Sequence, residues 1–217
     1  MNSREPDHNH QIGARHRSAF SRIERLPPLF VAAYAALVGI GVLFAVLVAA
    51  YIHTRRRSGI LTGLYSLPRY FSLSTIVLLV SSYTIGQAPR IYASDDLAAL
   101  KRCLGATLLL GVIFAGLQVM GWRELMVHGV PFGGSNSRSS GQFIYLISGL
   151  HVAHLLGGML FMLMLLVRVA HAERDAVRSL VFNRNPYHRR QLRLLGTYWH
   201  FIDVLWVGLF GVFLFMY

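Results

Sequence analysis

Apolar residues in this sequence do not alternate with polar ones; they gather into five long blocks separated by polar, mostly basic stretches. The blocks run from about Pro27 to Ile52, Tyr70 to Tyr92, Cys103 to Val127, Gln142 to Val169 and Leu194 to Tyr217. A helix crosses a hydrocarbon core of about 30 Å with roughly 20 apolar residues, so each block has the length of one membrane span. Runs this continuous do not fit the alternating ten-residue strands of an outer-membrane barrel. The predicted fold class is all-α: a polytopic membrane protein whose residues 27–217 form a bundle of five transmembrane helices.

The segments between the blocks supply boundaries. Residues 1–26 are polar, lack an apolar face and read as a disordered cytoplasmic tail. They do not read as a cleaved signal, because the apolar run that follows is too long and lacks a small-residue cleavage site. Pro27-Pro28 suits a first helical turn, where missing amide donors cost little. Ser94-Asp95-Asp96 offers an N-cap and early acids, so the third helix is expected to begin on the surface before it enters the bilayer. Gly129–Gly141, rich in Gly and Ser, is expected to be an exposed loop. No internal repeat is evident, which weighs against a transporter built from inverted halves.

Charge sets an orientation. With the N-terminus inside, the inner segments hold 15 Lys and Arg: five Arg in the tail, then Arg90, Lys101, Arg102, Arg168, Arg174, Arg178, Arg184, Arg189, Arg190 and Arg193. The outer segments hold six, namely Arg55, Arg56, Arg57, Arg69, Arg123 and Arg138. This bias predicts N-terminus inside and C-terminus outside, although Arg55–Arg57 run against it. The chain carries 21 Lys and Arg against nine acids. In a soluble domain that balance would suggest nucleic acid. Here the cations sit at helix ends and in loops, where they meet lipid phosphate, and no nucleic-acid partner is expected. A single cysteine, Cys103, excludes an internal disulfide and any Cys-rich metal site within the chain.

Buried polar residues are where membrane proteins write their function. The fourth block has His151 and His154 at i, i+3, and the fifth has His200 and Asp203 at the same spacing. Gln118 lies in the third block, and Ser72, Ser74, Ser81, Ser82 and Thr84 dot the second. Asp203 is the one acid deep inside an apolar block. At 1.5 Å per residue, His154 lies roughly 18 Å below the outer start of its helix, and His200 and Asp203 about 9 to 14 Å above the inner start of theirs. These depths suggest an interhelical cluster of His151 or His154 with Asp203 or His200. Such a cluster can glue helices through hydrogen bonds, relay protons, or offer axial ligands to a haem. Gly39, Gly41, Gly105, Gly111, Gly149, Gly157, Gly158, Gly208 and Gly211 favour close helix packing. Trp199, Trp206 and Tyr217 suit interface or lipid contact.

Three segments resemble subunit III of haem-copper terminal oxidases. Tyr198-Trp199-His200-Phe201-Ile202-Asp203-Val204-Leu205-Trp206 is similar to that family's final-helix signature. Ser148-Gly149-Leu150-His151-Val152-Ala153-His154 is similar to its G-x-H-x-x-H helix, and Phe114-Ala115-Gly116-Leu117-Gln118 to its F-x-x-x-Q. The motifs stand in the family's order over about Pro27 to Tyr217, and five blocks correspond to the family's shorter form, which lacks the first two helices of the seven-helix form.

The resemblance implies a non-catalytic subunit of a proton-pumping oxidase that reduces oxygen to water in aerobic respiration. It implies packing on the catalytic subunit, partners in subunits I and II, bound phospholipid, and support of proton uptake and turnover stability. Haem and copper would reside in the partners, with none in this chain and no catalytic residue here. Tyr198, Trp199 and Trp206 would be lipid or interface contacts, and His151, His154, His200, Asp203 and Gln118 a structural polar cluster. The setting implied is a bacterial inner membrane, within a complex that could join a larger respiratory assembly. The electron donor, cytochrome c or quinol, binds other subunits and stays open. Two departures stand out: the family's glutamate is missing from residues 30–52, and its Q-x-x-E-[YW] becomes Gln118-Val119-Met120-Gly121-Trp122, with Glu124 too late to replace the acid. Two other readings remain open at this point, a b-type cytochrome with bis-histidine haem and a small transporter.

Overall fold

The computed structural model describes residues 28–57, 69–128 and 139–216. The predicted tail, most of the predicted loop Gly129–Gly141, and Tyr217 lie outside these. Every described element is helical: α1 (Pro28–Arg57), α2 (Arg69–Ala93), α3 (Leu97–Val127), α4 (Ser139–Glu173), α5 (Ala176–Arg184) and α6 (Pro186–Met216). Five of the six, all but α5, are long and apolar enough to cross a membrane.

The chain divides at Ala36 into two units, and the described part of the first, residues 28–36, is the opening of α1. Within the unit Leu37–Tyr217, α2 packs between α3 and α6, and α4 closes the bundle against α3 and α6. From α1, the side chains of Leu37, Phe44, Tyr51 and Arg55 are buried. They recur at seven- and four-residue steps, one face of a helix. Tyr51 meets Phe213 edge-on and Phe143 at a tilt, and Arg55 Nη1 donates to the Tyr51 hydroxyl at 3.1 Å.

The helices run past the apolar blocks at their ends. α3 begins at Leu97 rather than Cys103, as the acids suggested: the Asp96 carboxylate accepts from the amide of Ala99 at 2.8 Å. Asp95 ahead of it takes a positive φ of 58°, a backbone state that short polar side chains tolerate. The last turn of α1 takes in Arg55, Arg56 and Arg57. The short α5 was not foreseen in the fourth loop. Tyr92 at the end of α2 holds it, donating to the carbonyl of Phe182 at 3.0 Å, while Phe182 stacks on His188. Lys101 of α3 pairs with Glu173 at the end of α4 at this same end of the bundle.

Glycine serves close packing at fewer places than predicted. A Cβ on Gly158 would lie 2.7 Å from Tyr198, and one on Gly111 would lie 3.2 Å from Trp199. Gly39, Gly105, Gly208 and Gly211 would meet nothing within 4 Å. Gly39 and Gly208 are exposed and Gly105 and Gly211 half-buried, so composition alone misplaces them.

Candidate functional site: the polar seam of α2

The polar residues of the bundle converge on α2. Ser74, Thr75 and Ser81 are buried, and each hydroxyl donates to a carbonyl of its own helix at 2.7 to 2.8 Å. Back-bonding of this kind satisfies a hydroxyl proton without a second helix, and leaves the oxygen lone pairs free to accept. The neighbouring helices supply donors. Gln118 Nε2 of α3 donates to Ser74 at 2.9 Å, Trp206 Nε1 of α6 to Thr75 at 3.0 Å, and Trp199 Nε1 to Ser81 at 3.1 Å. The device recurs away from α2, where Ser148 donates to Ile144 and accepts from Trp122 Nε1 at 2.9 Å. In lipid no water can pair these groups, so each must find its partner within the protein.

Trp199 and Trp206 are therefore not the lipid-facing aromatics that their positions in the sequence suggest. They are 1% and 0% exposed, and their indole N–H groups point at α2. Phe114 and Trp206 pack on His151, with Phe44 at a longer 6.4 Å, and the Trp206 ring centre lies 4.9 Å from the imidazole. Among the described residues His151 Nε2 has no hydrogen-bond partner. His154 turns its Nδ1 to the carbonyl of Leu150 at 2.8 Å, and its own carbonyl accepts from the Tyr198 hydroxyl at 2.8 Å. Tyr198, predicted as a lipid or interface contact, is half-buried against α4.

The expected cluster of fourth-helix histidines with Asp203 or His200 is not joined by hydrogen bonds. The rotation of the helices decides otherwise. Trp206 takes the place beside His151, and His200 faces the other way. His200 Nδ1 and the Ser82 hydroxyl share a hydrogen bond of 2.8 Å. Asp203 is 2% exposed, and neither carboxyl oxygen has a hydrogen-bond partner among the described residues, although Ser82 lies within range of it. Gln118, fully buried, leaves Oε1 without a partner.

Sequence reasoning noticed most of the hydroxyls of α2 but assigned them no part, it named Phe114 only as part of a motif, and it passed over Thr75 and Phe44. The available signal was that all three tryptophans and one buried glutamine need acceptors, and α2 is the hydroxyl-rich span. Placed in space, the three motif segments meet: His151 of α4 packs against Phe114 of α3 and Trp206 of α6, while Gln118, Trp199 and Trp206 reach the hydroxyls of α2. Residues 65–217, which span α2 to α6 and every one of these residues except Phe44, match the family described as Cytochrome c oxidase subunit III.

The chain belongs to this family. Its relatives include cytochrome c oxidase subunit 3 of Bacillus sp. (strain PS3), 32% identical with 81% of this chain and 80% of the relative covered. Cytochrome bo(3) ubiquinol oxidase subunit 3 of Pseudomonas aeruginosa is 32% identical, with 79% and 77% covered. Cytochrome c oxidase subunit 3 of Corynebacterium diphtheriae is 30% identical, with 77% and 78% covered. The chain is thus a subunit III of a haem-copper oxidase, one member of a multi-subunit complex, and a multi-pass bacterial membrane protein. In subunit III terms, the polar seam joins motif residues of α3 and α6 to hydroxyls of α2 that lie outside the motifs.

Proposed function

We propose that this subunit III performs no chemistry itself and serves as a scaffold beside the catalytic subunit of a proton-pumping oxidase that reduces oxygen to water. It packs against subunits I and II, which carry the haem and copper, binds phospholipid, and sustains proton uptake and stability through repeated turnover. Its N-terminus lies inside and its C-terminus outside a bacterial plasma membrane, as the distribution of arginine favours.

The observation that carries this reading is how the conspicuous polar residues are engaged. Trp199, Trp206 and Gln118 each donate to a hydroxyl of α2, which is a helix-joining task. The same packing speaks for structural histidines over haem ligands. Aromatic rings crowd His151, and His200 turns to Ser82 of α2 while His154 lies on α4 beside Phe44. The test is a pull-down in mild detergent with this chain as bait, followed by identification of the eluted proteins and an optical spectrum. Co-eluting oxidase subunits that keep all the haem when this chain is stripped away support the proposal. A chain that emerges alone and carries a bis-histidine haem spectrum makes it a b-type cytochrome instead.

A further inference from the structure

His200 stands at the middle of α6, 14 residues after Pro186 and 16 before Met216. At 1.5 Å per residue that is about 21 Å from the nearer end of the helix. Its hydrogen-bond partner Ser82 is at the corresponding depth, midway along α2. Yet the His200 side chain is exposed on the surface of the bundle. Ser82 answers Nδ1, and among the described residues no hydrogen bond reaches Nε2. An imidazole is too short to reach the interface from mid-membrane, as lysine or arginine do near helix ends.

The other outward faces differ. Those of α3 and α4 at mid-depth present Leu109, Val112, Ile113, Leu156, Leu160 and Leu163, all exposed. Lipid chains solvate such a surface well, but they have nothing to offer an imidazole N–H or lone pair. Gly86 of α2 is exposed with His200 as its neighbour, between the outward side chains of Tyr83 and Val204. Small residues beside a polar one let another helix approach closely enough to hydrogen bond.

We propose that the face where α6 meets α2, centred on His200, seats another transmembrane subunit of the oxidase, which supplies a hydrogen-bonding side chain to His200 Nε2 at mid-membrane. The proposal rests on the scaffold reading and adds the face and the contact. The apolar face of α3 and α4 is left to lipid.

The test uses the whole oxidase complex with a photoreactive benzophenone side chain at Val204, one turn from His200 and 72% exposed, or at Leu160 on α4, 63% exposed. Illumination should join position 204 to an identified oxidase subunit and position 160 to lipid alone. Lipid adducts alone at 204, a cross-link to a second copy of this chain, or subunit capture at 160 and not at 204 would each overturn the assignment. In parallel, His200→Leu should weaken retention in the complex about threefold, the weight of one interhelical hydrogen bond in lipid. His200→Gln should restore most of it, and Ser82→Ala should leave it nearly unchanged. Equal losses for His200→Leu and Ser82→Ala would mean that the bond within the chain is what matters. A chain that never co-purifies with oxidase subunits refutes the scaffold reading itself, whereas the cross-links address only the face.

Discussion

Tyr198 lies across the backbone of Gly158, so closely that a Cβ at 158 would stand 2.7 Å from the Tyr198 ring. The same tyrosine donates its hydroxyl to the carbonyl of His154 one turn away. The two contacts fix the separation of α4 and α6 and their register together. Gly158→Ala should therefore destabilise the detergent-solubilised chain by about 1 to 3 kcal/mol, the usual range for overpacking. Gly157→Ala next to it, where the nearest atom would be 3.9 Å away, should cost far less. Thermal denaturation of the two variants side by side decides it, and equal melting temperatures would rule out the steric account.

The bond from Trp206 to Thr75 should show as coupling. Trp206→Phe removes the donor but leaves Thr75 bonded to its own backbone, while Thr75→Val strands a buried indole N–H. A double-mutant cycle on unfolding free energy should give an interaction of about 0.6 kcal/mol, and at most roughly 1.7 kcal/mol, as for other side-chain hydrogen bonds in membrane bundles. Additive losses would mean that the indole is held by packing against Phe71, Phe114 and His151 alone.

Asp203 has no ion pair among the described residues, and the one polar group within its range is the Ser82 hydroxyl, which is shared with His200. Replacing its carboxyl with an amide of the same shape should then leave the melting temperature of the isolated chain within about 2 °C, a change under about 1 kcal/mol for a chain of this size. A large drop in Asp203→Asn would reveal a charge-dependent partner within the chain. Asp203→Lys, with a bulkier cation in the same buried space, should fail to assemble.

The pair of Lys101 with Glu173 ties α3 to the end of α4 where both side chains are partly exposed, 40% and 29%. Solvent screens such a pair, so Glu173→Gln should cost no more than about 1 kcal/mol. The difference from the parent chain should shrink between low salt and 0.5 M salt. A salt-independent loss would point to packing of the Glu173 stem.

The five spans and the N-cap at Asp96 were legible because length and polarity encode them directly. The facing of Trp199, Trp206 and His200 was not. In water an amphipathic helix announces which side is buried, since the solvent is polar and the core is not. In lipid both sides of a helix are apolar, so the hydrophobic pattern carries no rotational phase. That is why the depth of His154 and His200 could be estimated from residue counts while their directions could not. α5 escaped for another reason: nine residues with three polar or charged positions, Arg178, Ser179 and Asn183, ahead of Arg184 look like loop until Tyr92 and His188 are seen to clasp Phe182.

The back-bonded hydroxyls of α2 bear on the order in which the chain is made. Because Ser74, Thr75 and Ser81 direct their protons to their own helix, α2 can enter the bilayer early with those donors already quenched. The ungratified groups belong to α6, which leaves the ribosome after α2 with two indole N–H groups that lipid cannot satisfy. Acceptors are thus in place before the donors arrive, and α6 has a docking strip waiting for it.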